Sequence, residues 1–254
     1  MLEREIDTTG VAVARLNQPE RGNCLSDDLI AALIGWIDEL EQGKDAAVLV
    51  IEGHPRVFCG GGDVHRFRSW HAWTGAERQR YLKTGIQPLF RRLLDSPLLT
   101  VACVEGAVVG AGLDLLLACD LRFAATSASV RGGYLDVGLV PAAGAPWHLA
   151  RLVGTSRALE LLVSSERHPA SQLAEWGIFN HVYADDQLRS AVAATCRAIA
   201  GHGRDRVSRL KSLVGIAGEE SFAAHLDRAA ALLAVLGETR TGKTDTRESE
   251  RDDA

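Results

Sequence analysis

Gly106-Ala107-Val108-Val109-Gly110-Ala111-Gly112-Leu113-Asp114-Leu115-Leu116-Leu117-Ala118-Cys119-Asp120 is the stretch on which the fold turns. It follows Val101-Ala102-Cys103-Val104-Glu105, an apolar run that reads as a strand, and its glycines give way to helix-forming leucines. A strand thus leads through a glycine turn into a helix N-terminus, where unpaired N–H groups and the positive end of the dipole collect. Gly110-Ala111-Gly112 lacks the third glycine of a dinucleotide fingerprint, because Leu115 stands three positions on. No acidic residue clearly ends a second strand at the expected distance either, so a nucleotide-binding reading is weak. What remains is a helix start open to an anion. Asp114, near the first turn of an otherwise apolar helix, reads either as a helix-terminus charge or as a positioned acid or base.

Upstream, Phe58-Cys59-Gly60-Gly61-Gly62-Asp63 follows a continuous apolar run at Ala46–Glu52 that reads as a buried strand. Three glycines free the backbone for close approach of a ligand or for a tight turn. Val11–Leu16 reads as a further strand, and Asn17-Gln-Pro-Glu-Arg-Gly-Asn23 is turn chemistry. Ser26 is a good N-cap for a helix to about Leu40, with Leu29, Leu33, Trp36, Ile37 and Leu40 on one face. Downstream, Leu121–Ala124 reads as a strand. From about residue 155 the spacing turns helical, over 156–164, 170–176, 187–200, 204–215 and 219–236. Strand–helix alternation followed by helices argues for an α/β core with a helical C-terminal part.

The chain has 254 residues, 46% hydrophobic and 24% charged, as in an ordinary globular protein. Its net charge of −5 leaves no basic excess for a phosphate backbone, so nucleic acid is not an expected partner. Apolar runs are too short to span a bilayer, so no membrane partner is expected. The five cysteines, Cys24, Cys59, Cys103, Cys119 and Cys196, include no CxxC pair and no zinc spacing, which predicts reduced thiols in a cytoplasmic protein without a metal. No Val, Ile, Leu, Phe, Trp or Tyr follows Leu236, so 238–254 is expected to be a disordered charged tail. Gly237–Thr244 matches the GxxxxGK[ST] phosphate-loop pattern literally. It follows a helical segment rather than a strand, and only ten residues, nine of them polar, come after it, so it reads as coincidence.

Taken together, these segments resemble the enoyl-CoA hydratase/isomerase (crotonase) superfamily. The resemblance runs from Leu16-Asn-Gln-Pro-Glu-Arg-Gly-Asn-Cys-Leu-Ser26 through Val50–Gly53, Phe58–Val64, Pro97–Cys103 and Gly106–Asp120. It continues through Val137–Pro141, Ala170–Val182 and Lys211, in family order over about nine-tenths of the chain. It implies a spiral of ββα units at 1–185 carrying an acyl-thioester site, and a helical C-terminal region at 186–237 for oligomerisation as a homotrimer or hexamer. It also implies an acyl thioester of coenzyme A or of an acyl-carrier protein as substrate, with no cofactor beyond the coenzyme A that belongs to the substrate.

By the same resemblance, the thioester carbonyl lies between two backbone N–H donors, assigned by position to Gly60 and Ala111, which stabilise an enolate-like oxyanion. Removing such a donor typically lowers the rate about 10²–10³-fold. Hydratases of the family use two glutamates. Here the first position is Asp114, shorter by one methylene, as in some dienoyl-thioester isomerases of the family. The second is Tyr134, whose pKa of about 10 makes it a poor base but a fair hydrogen-bond donor. If the chain is extended there, Asp136 points to the same side as Tyr134 and is a candidate second acid, or orders Tyr134. Cys59, Gly61, Gly62 and Asp63 are expected to line the substrate site, and Arg21 to approach the nucleotide phosphates. His65, Trp70, His71 and Trp73 follow the glycine loop, in a stretch that lines the acyl pocket in the family. A reaction of hydratase or isomerase type is expected, with Asp114 moving one proton; double-bond isomerisation, decarboxylation and hydration with altered acid/base partners all fit, and a decarboxylase or hydrolase on the same scaffold is the alternative. A catalytically impaired acyl-CoA-binding homologue is the reading from outside enzymology.

Overall fold

A computed structural model describes residues 1–63, 66 and 70–238. His65 and the expected tail beyond Glu238 lie outside the described residues, as does most of the phosphate-loop look-alike.

The strands are β1 (Leu2–Ile6), β2 (Val11–Leu16), β3 (Val48–Glu52), β4 (Val57–Cys59), β5 (Leu99–Val104), β6 (Ala107–Val109), β7 (Leu121–Ala125), β8 (Ser129–Arg131), β9 (His168–Pro169) and β10 (His181–Tyr183). The helices are α1 (Asp27–Gly43), α2 (Gly75–Tyr81), α3 (Gln87–Asp95), α4 (Ala111–Ala118), α5 (Ala145–Val163), α6 (Ala170–Glu175), α7 (Leu188–Ala200), α8 (Arg204–Ile216) and α9 (Phe222–Glu238). A six-stranded sheet runs β1-β2-β3-β5-β7-β10 and a four-stranded sheet runs β4-β6-β8-β9. Among the pairings of these named strands, β1–β2 and β8–β9 are antiparallel and the rest parallel. The chain therefore visits the large sheet, then the small sheet, then a helix, and repeats: β3-β4, β5-β6 and β7-β8 are successive turns of a ββα spiral.

The continuous apolar run of β3 follows from burial on both faces. Val48 and Val50 join Val101, Cys103 and Phe123 in one cluster, closed by Leu188, Val192 and Cys196 of α7. Leu49 and Ile51 join Ala102 and Val104 in the other, with Leu29, Leu33 and Ile37 of α1 and Leu89 and Leu93 of α3. The edge strand β1 carries Glu3, Arg4 and Glu5, and charge blunts an edge that would otherwise pair with another chain. Ser26 caps α1 as its sequence predicts, its side chain accepting from the Leu29 N–H at 3.3 Å.

Three readings change. The short strands β4, β6 and β8, each of three residues, carry no periodicity that a sequence can show. Helix starts at Ala145, well before residue 156, and is broken at Gly154, which has φ +76°. The core also extends further than 185. The compact unit is Met1–Val207, because α7 buries its apolar face on the large sheet, and a second unit begins at Ser208.

Candidate active site

The turn 17–23 is the bracket that shapes the glycine loop. Asn23 is 1% exposed and left-handed, with φ +50°. Its Oδ1 accepts from the Gln18 N–H at 2.7 Å, and its Nδ2 donates to the carbonyls of Val57 and Phe58 at 3.0 and 3.3 Å. The first bond closes the turn on itself, and the other two tie it to β4. The neighbouring Gly22 carbonyl then accepts from the Gly60 N–H at 2.7 Å, and the Leu25 N–H donates to the Gly61 carbonyl at 2.8 Å. Arg21 meets Asp63 at 3.3 Å across the same seam. Two residues expected to line the substrate site are thus joined to each other.

This seam corrects one expectation. The Gly60 N–H is spent on Gly22 and is not open to a ligand. Two residues on, Gly62 forms an isolated parallel bridge with Leu25, and its N–H has no acceptor among the described residues. The Ala111 N–H, at the first position of α4, has none either. The methyl of Ala111 is accommodated without strain, since its φ is not positive. The glycine loop lies against the start of α4. A Cβ on Gly61, at φ +102°, would come within 2.8 Å of the Val109 carbonyl oxygen and 3.2 Å of the Ala111 nitrogen. A Cβ on Gly112 would sit 2.3 Å from the Cys59 carbonyl oxygen. Backbone meets backbone at both places, and only glycine allows it.

Asp114 sits one turn into α4, 1% exposed. Its Oδ1 accepts from the Ala145 N–H at 2.7 Å, so it satisfies an orphan donor at the start of α5. Its Oδ2 lies 2.7 Å from the Tyr134 hydroxyl, which is also 2.7 Å from the Gly110 carbonyl oxygen. Burial pushes the Asp114 carboxyl up to about 6, against the lowering effect of these hydrogen bonds. Burial and the adjacent Asp114 raise the Tyr134 phenol far above its ordinary value, so it stays protonated. A carboxyl that titrates at about 6 in a water-excluded place suits proton transfer near neutral pH.

The segment after β8 is not extended. Tyr134 is αR and Leu135–Val137 form a 3₁₀ turn, so Tyr134 and Asp136 do not share a side. Asp136 accepts from Arg131 at 2.5 Å and from the Ser165 hydroxyl. The expectation of Asp136 as a second acid beside Tyr134 therefore loses its geometric basis. Cys59 is fully buried, and burial pushes its thiol up to about 12, so it offers packing rather than a substrate contact. Trp70 and Trp73 lie 6.0 Å apart by ring centroid. Trp73 packs edge-on to Tyr81, whose hydroxyl donates to Asp27 at 3.0 Å. Trp73, Arg80 and Tyr81 help line a cavity of about 310 Å³.

Sequence reasoning missed Gly62 as a donor, Asn23 as a brace and the Ala145 N–H on Asp114. A run of glycines does not say which N–H is spent. Asn at the end of a turn rich in Pro and Gly was the available signal for a left-handed residue.

Comparison with known proteins follows the same lines. The family described as enoyl-CoA hydratase/isomerase matches residues 7–248. The 1,2-epoxyphenylacetyl-CoA isomerase of Escherichia coli (strain K12) is 28% identical over 218 residues, covering 86% of this chain and 83% of that protein. The 4-chlorobenzoyl coenzyme A dehalogenase-1 of Arthrobacter sp is 29% identical, covering 76% of this chain and 70% of that one. Among solved structures, a Thermobifida fusca YX protein in complex with CoA superposes with a TM-score of 0.84 at 26% identity, covering 94% of this chain and 93% of that one.

Proposed function

The chain belongs to the enoyl-CoA hydratase/isomerase family, and from that premise we propose that it shifts a double bond in an acyl-CoA thioester, with Asp114 as the single acid/base. In this reading the Gly62 and Ala111 N–H groups donate to the thioester oxygen, and the N-terminal end of α4 favours the charge that develops there. Asp114 removes a proton from one carbon of the enoyl chain and returns it to another. The observation that carries the reading is the position of the buried Asp114 carboxyl, pushed up to about 6 by burial, three residues after the open Ala111 N–H. One group that returns the proton it removes suffices for an allylic shift, whereas hydration needs a second group to handle water. Asp136, the residue expected for that task, is engaged by Arg131 and Ser165. Membership also supports a homotrimer or hexamer.

The test follows conjugation. A 3-enoyl-CoA thioester converted to the conjugated 2-enoyl form gains ultraviolet absorbance, and Asp114→Asn lowers that rate by about 10²–10⁴-fold. Unchanged turnover in D114N rules out the assigned role. Mass spectrometry of a carboxyacyl thioester after incubation distinguishes decarboxylation, because only that reaction loses CO₂.

One observation favours a second reading. Both Asp114 oxygens already face protein donors, as in a purely structural cap of α5. An acyl-CoA-binding homologue without turnover then follows, and calorimetric binding of acyl-CoA with no conversion of any thioester in the panel would support it. A carboxylate has about four lone-pair sites, so each Asp114 oxygen retains one for a substrate proton.

A further inference from the structure

Tyr134 makes two contacts that a single hydroxyl cannot serve in the same way at the same time. Its oxygen lies 2.7 Å from the Gly110 carbonyl oxygen and 2.7 Å from Asp114 Oδ2. A phenol has one proton to donate, and a peptide carbonyl only accepts. When Asp114 is protonated, the chain closes without conflict: Asp114 O–H donates to Tyr134, and Tyr134 donates to Gly110. When Asp114 is ionised, it accepts only, so the phenol proton turns to the carboxylate and the Gly110 carbonyl loses the second of its two donors, keeping the Leu113 N–H at 2.7 Å. Gly110 C=O belongs to the same peptide group as the Ala111 N–H. A bond donated to the carbonyl of a peptide polarises that peptide and strengthens its N–H as a donor.

We propose that Tyr134 is a positioning residue that couples the proton on Asp114 to the strength of the Ala111 N–H as an oxyanion donor, through the Gly110–Ala111 peptide. This inference rests on the functional reading above. In the first step Asp114 takes a proton from a substrate carbon. The C–H electron pair becomes the enolate double bond, and the negative charge moves from Asp114 to the thioester oxygen. The newly protonated Asp114 donates to Tyr134, whose proton turns to Gly110, and the Ala111 N–H strengthens as the oxyanion forms. Returning the proton to the other carbon reverses each change, so protons and electrons balance. The coupling favours the enolate over the bound ground state, which is the condition for accelerating the chemical step. Among the described residues, three titratable groups meet at this relay. Tyr134 and Asp114 face each other, and the Cys59 thiol, also near both, is held neutral by burial.

The test uses the full chain and butyryl-CoA, a saturated thioester that cannot isomerise, and reads the stretching frequency of its bound carbonyl by infrared difference spectroscopy across pH. In the wild type the frequency is low when Asp114 is protonated and rises as it ionises. Tyr134→Phe keeps the ring but not the hydroxyl. It stays near the high-frequency limit with less than half the wild-type pH change, and lowers kcat about tenfold with KM nearly unchanged, a smaller loss than removing a donor outright. Asp114→Asn, whose amide donates to Tyr134 at every pH, stays at the low-frequency limit. A flat wild-type profile overturns the coupling, as does a Y134F profile with the full wild-type amplitude, because the field of Asp114 alone would produce the latter. Failure of butyryl-CoA to bind overturns the functional reading itself, so the two failures are distinct. The wild-type titration needs no variant to fold.

Discussion

A carboxyl group at 1% exposure, pushed up from 3.8 to about 6 by burial, weakens the folded chain whenever it is ionised. Below pH 3.8 Asp114 is protonated folded and unfolded, and nothing is lost. As pH rises through about 6 the unfolded chain has already released the proton and the folded chain resists, so stability falls. The full penalty is about 3 kcal/mol above that range. Asp114→Asn keeps both contacts without the charge. In urea unfolding, D114N is therefore expected to be more stable than the wild type by about 2–3 kcal/mol at pH ~8, with the difference vanishing near pH ~4. The rate has the opposite sign. Asp114 must be ionised to take a proton, so kcat/KM for the isomerisation rises with pH through about 6 and falls about tenfold per unit below it. That a carboxyl sat at a helix start was legible in the sequence. That it faced Tyr134 and capped α5 was not, because Ala145 and Tyr134 reach it only through folding.

Two elements carry the oxyanion geometry, the 17–23 turn and the start of α4. Asn23→Ala removes three hydrogen bonds, one buried and two partly buried, and places a residue less suited to the left-handed region there, so a loss of about 2–4 kcal/mol is expected in chemical denaturation. Asn23→Gly keeps the backbone conformation and loses the bonds, and should fall between the wild type and Asn23→Ala. Gly112→Ala drives a methyl into the Cys59 carbonyl and must push α4 off the end of β4, which is expected to lower stability by about 1–3 kcal/mol or more. The glycine loop itself was plain from Gly60-Gly61-Gly62. Its hydrogen bonds depend on Gly22 and Leu25, residues far away along the chain, so the free donor shifted from Gly60 to Gly62. The 3₁₀ turn at Leu135–Val137 hid in the same way. Three residues are too few for periodicity to tell a turn from an extended run.

Over the whole molecule, the two sheets and their intervening helices build the spiral, and α7 belongs to the compact unit ending at Val207. The second unit, from Ser208, leaves Leu210, Val214, Phe222, Leu226 and Leu233 more than half exposed. Exposed apolar residues of this kind suit a surface that the proposed trimer or hexamer would cover. The expected trimer or hexamer should appear in sedimentation at micromolar concentration, and Leu226→Glu with Leu233→Glu should lower the assembly state while the 1–207 unit keeps its fold. Among the described residues, no helix is long and apolar enough to cross a membrane.

The sequence by itself determined the α/β alternation, the glycine loop after β3, the α4 start with Asp114 in its first turn, and the helical C-terminal part. These are local facts. They follow from which residues stand next to one another, how apolar positions repeat, and where glycine and cap residues interrupt them. Tertiary structure alone decided which backbone donors stay open and which carboxyl is tied up. It also decided that a single tyrosine bridges Asp114 and the Gly110 peptide. Each of those depends on a partner brought in by a distant turn of the spiral, and on burial that arises only once both sheets and their helices have closed around it.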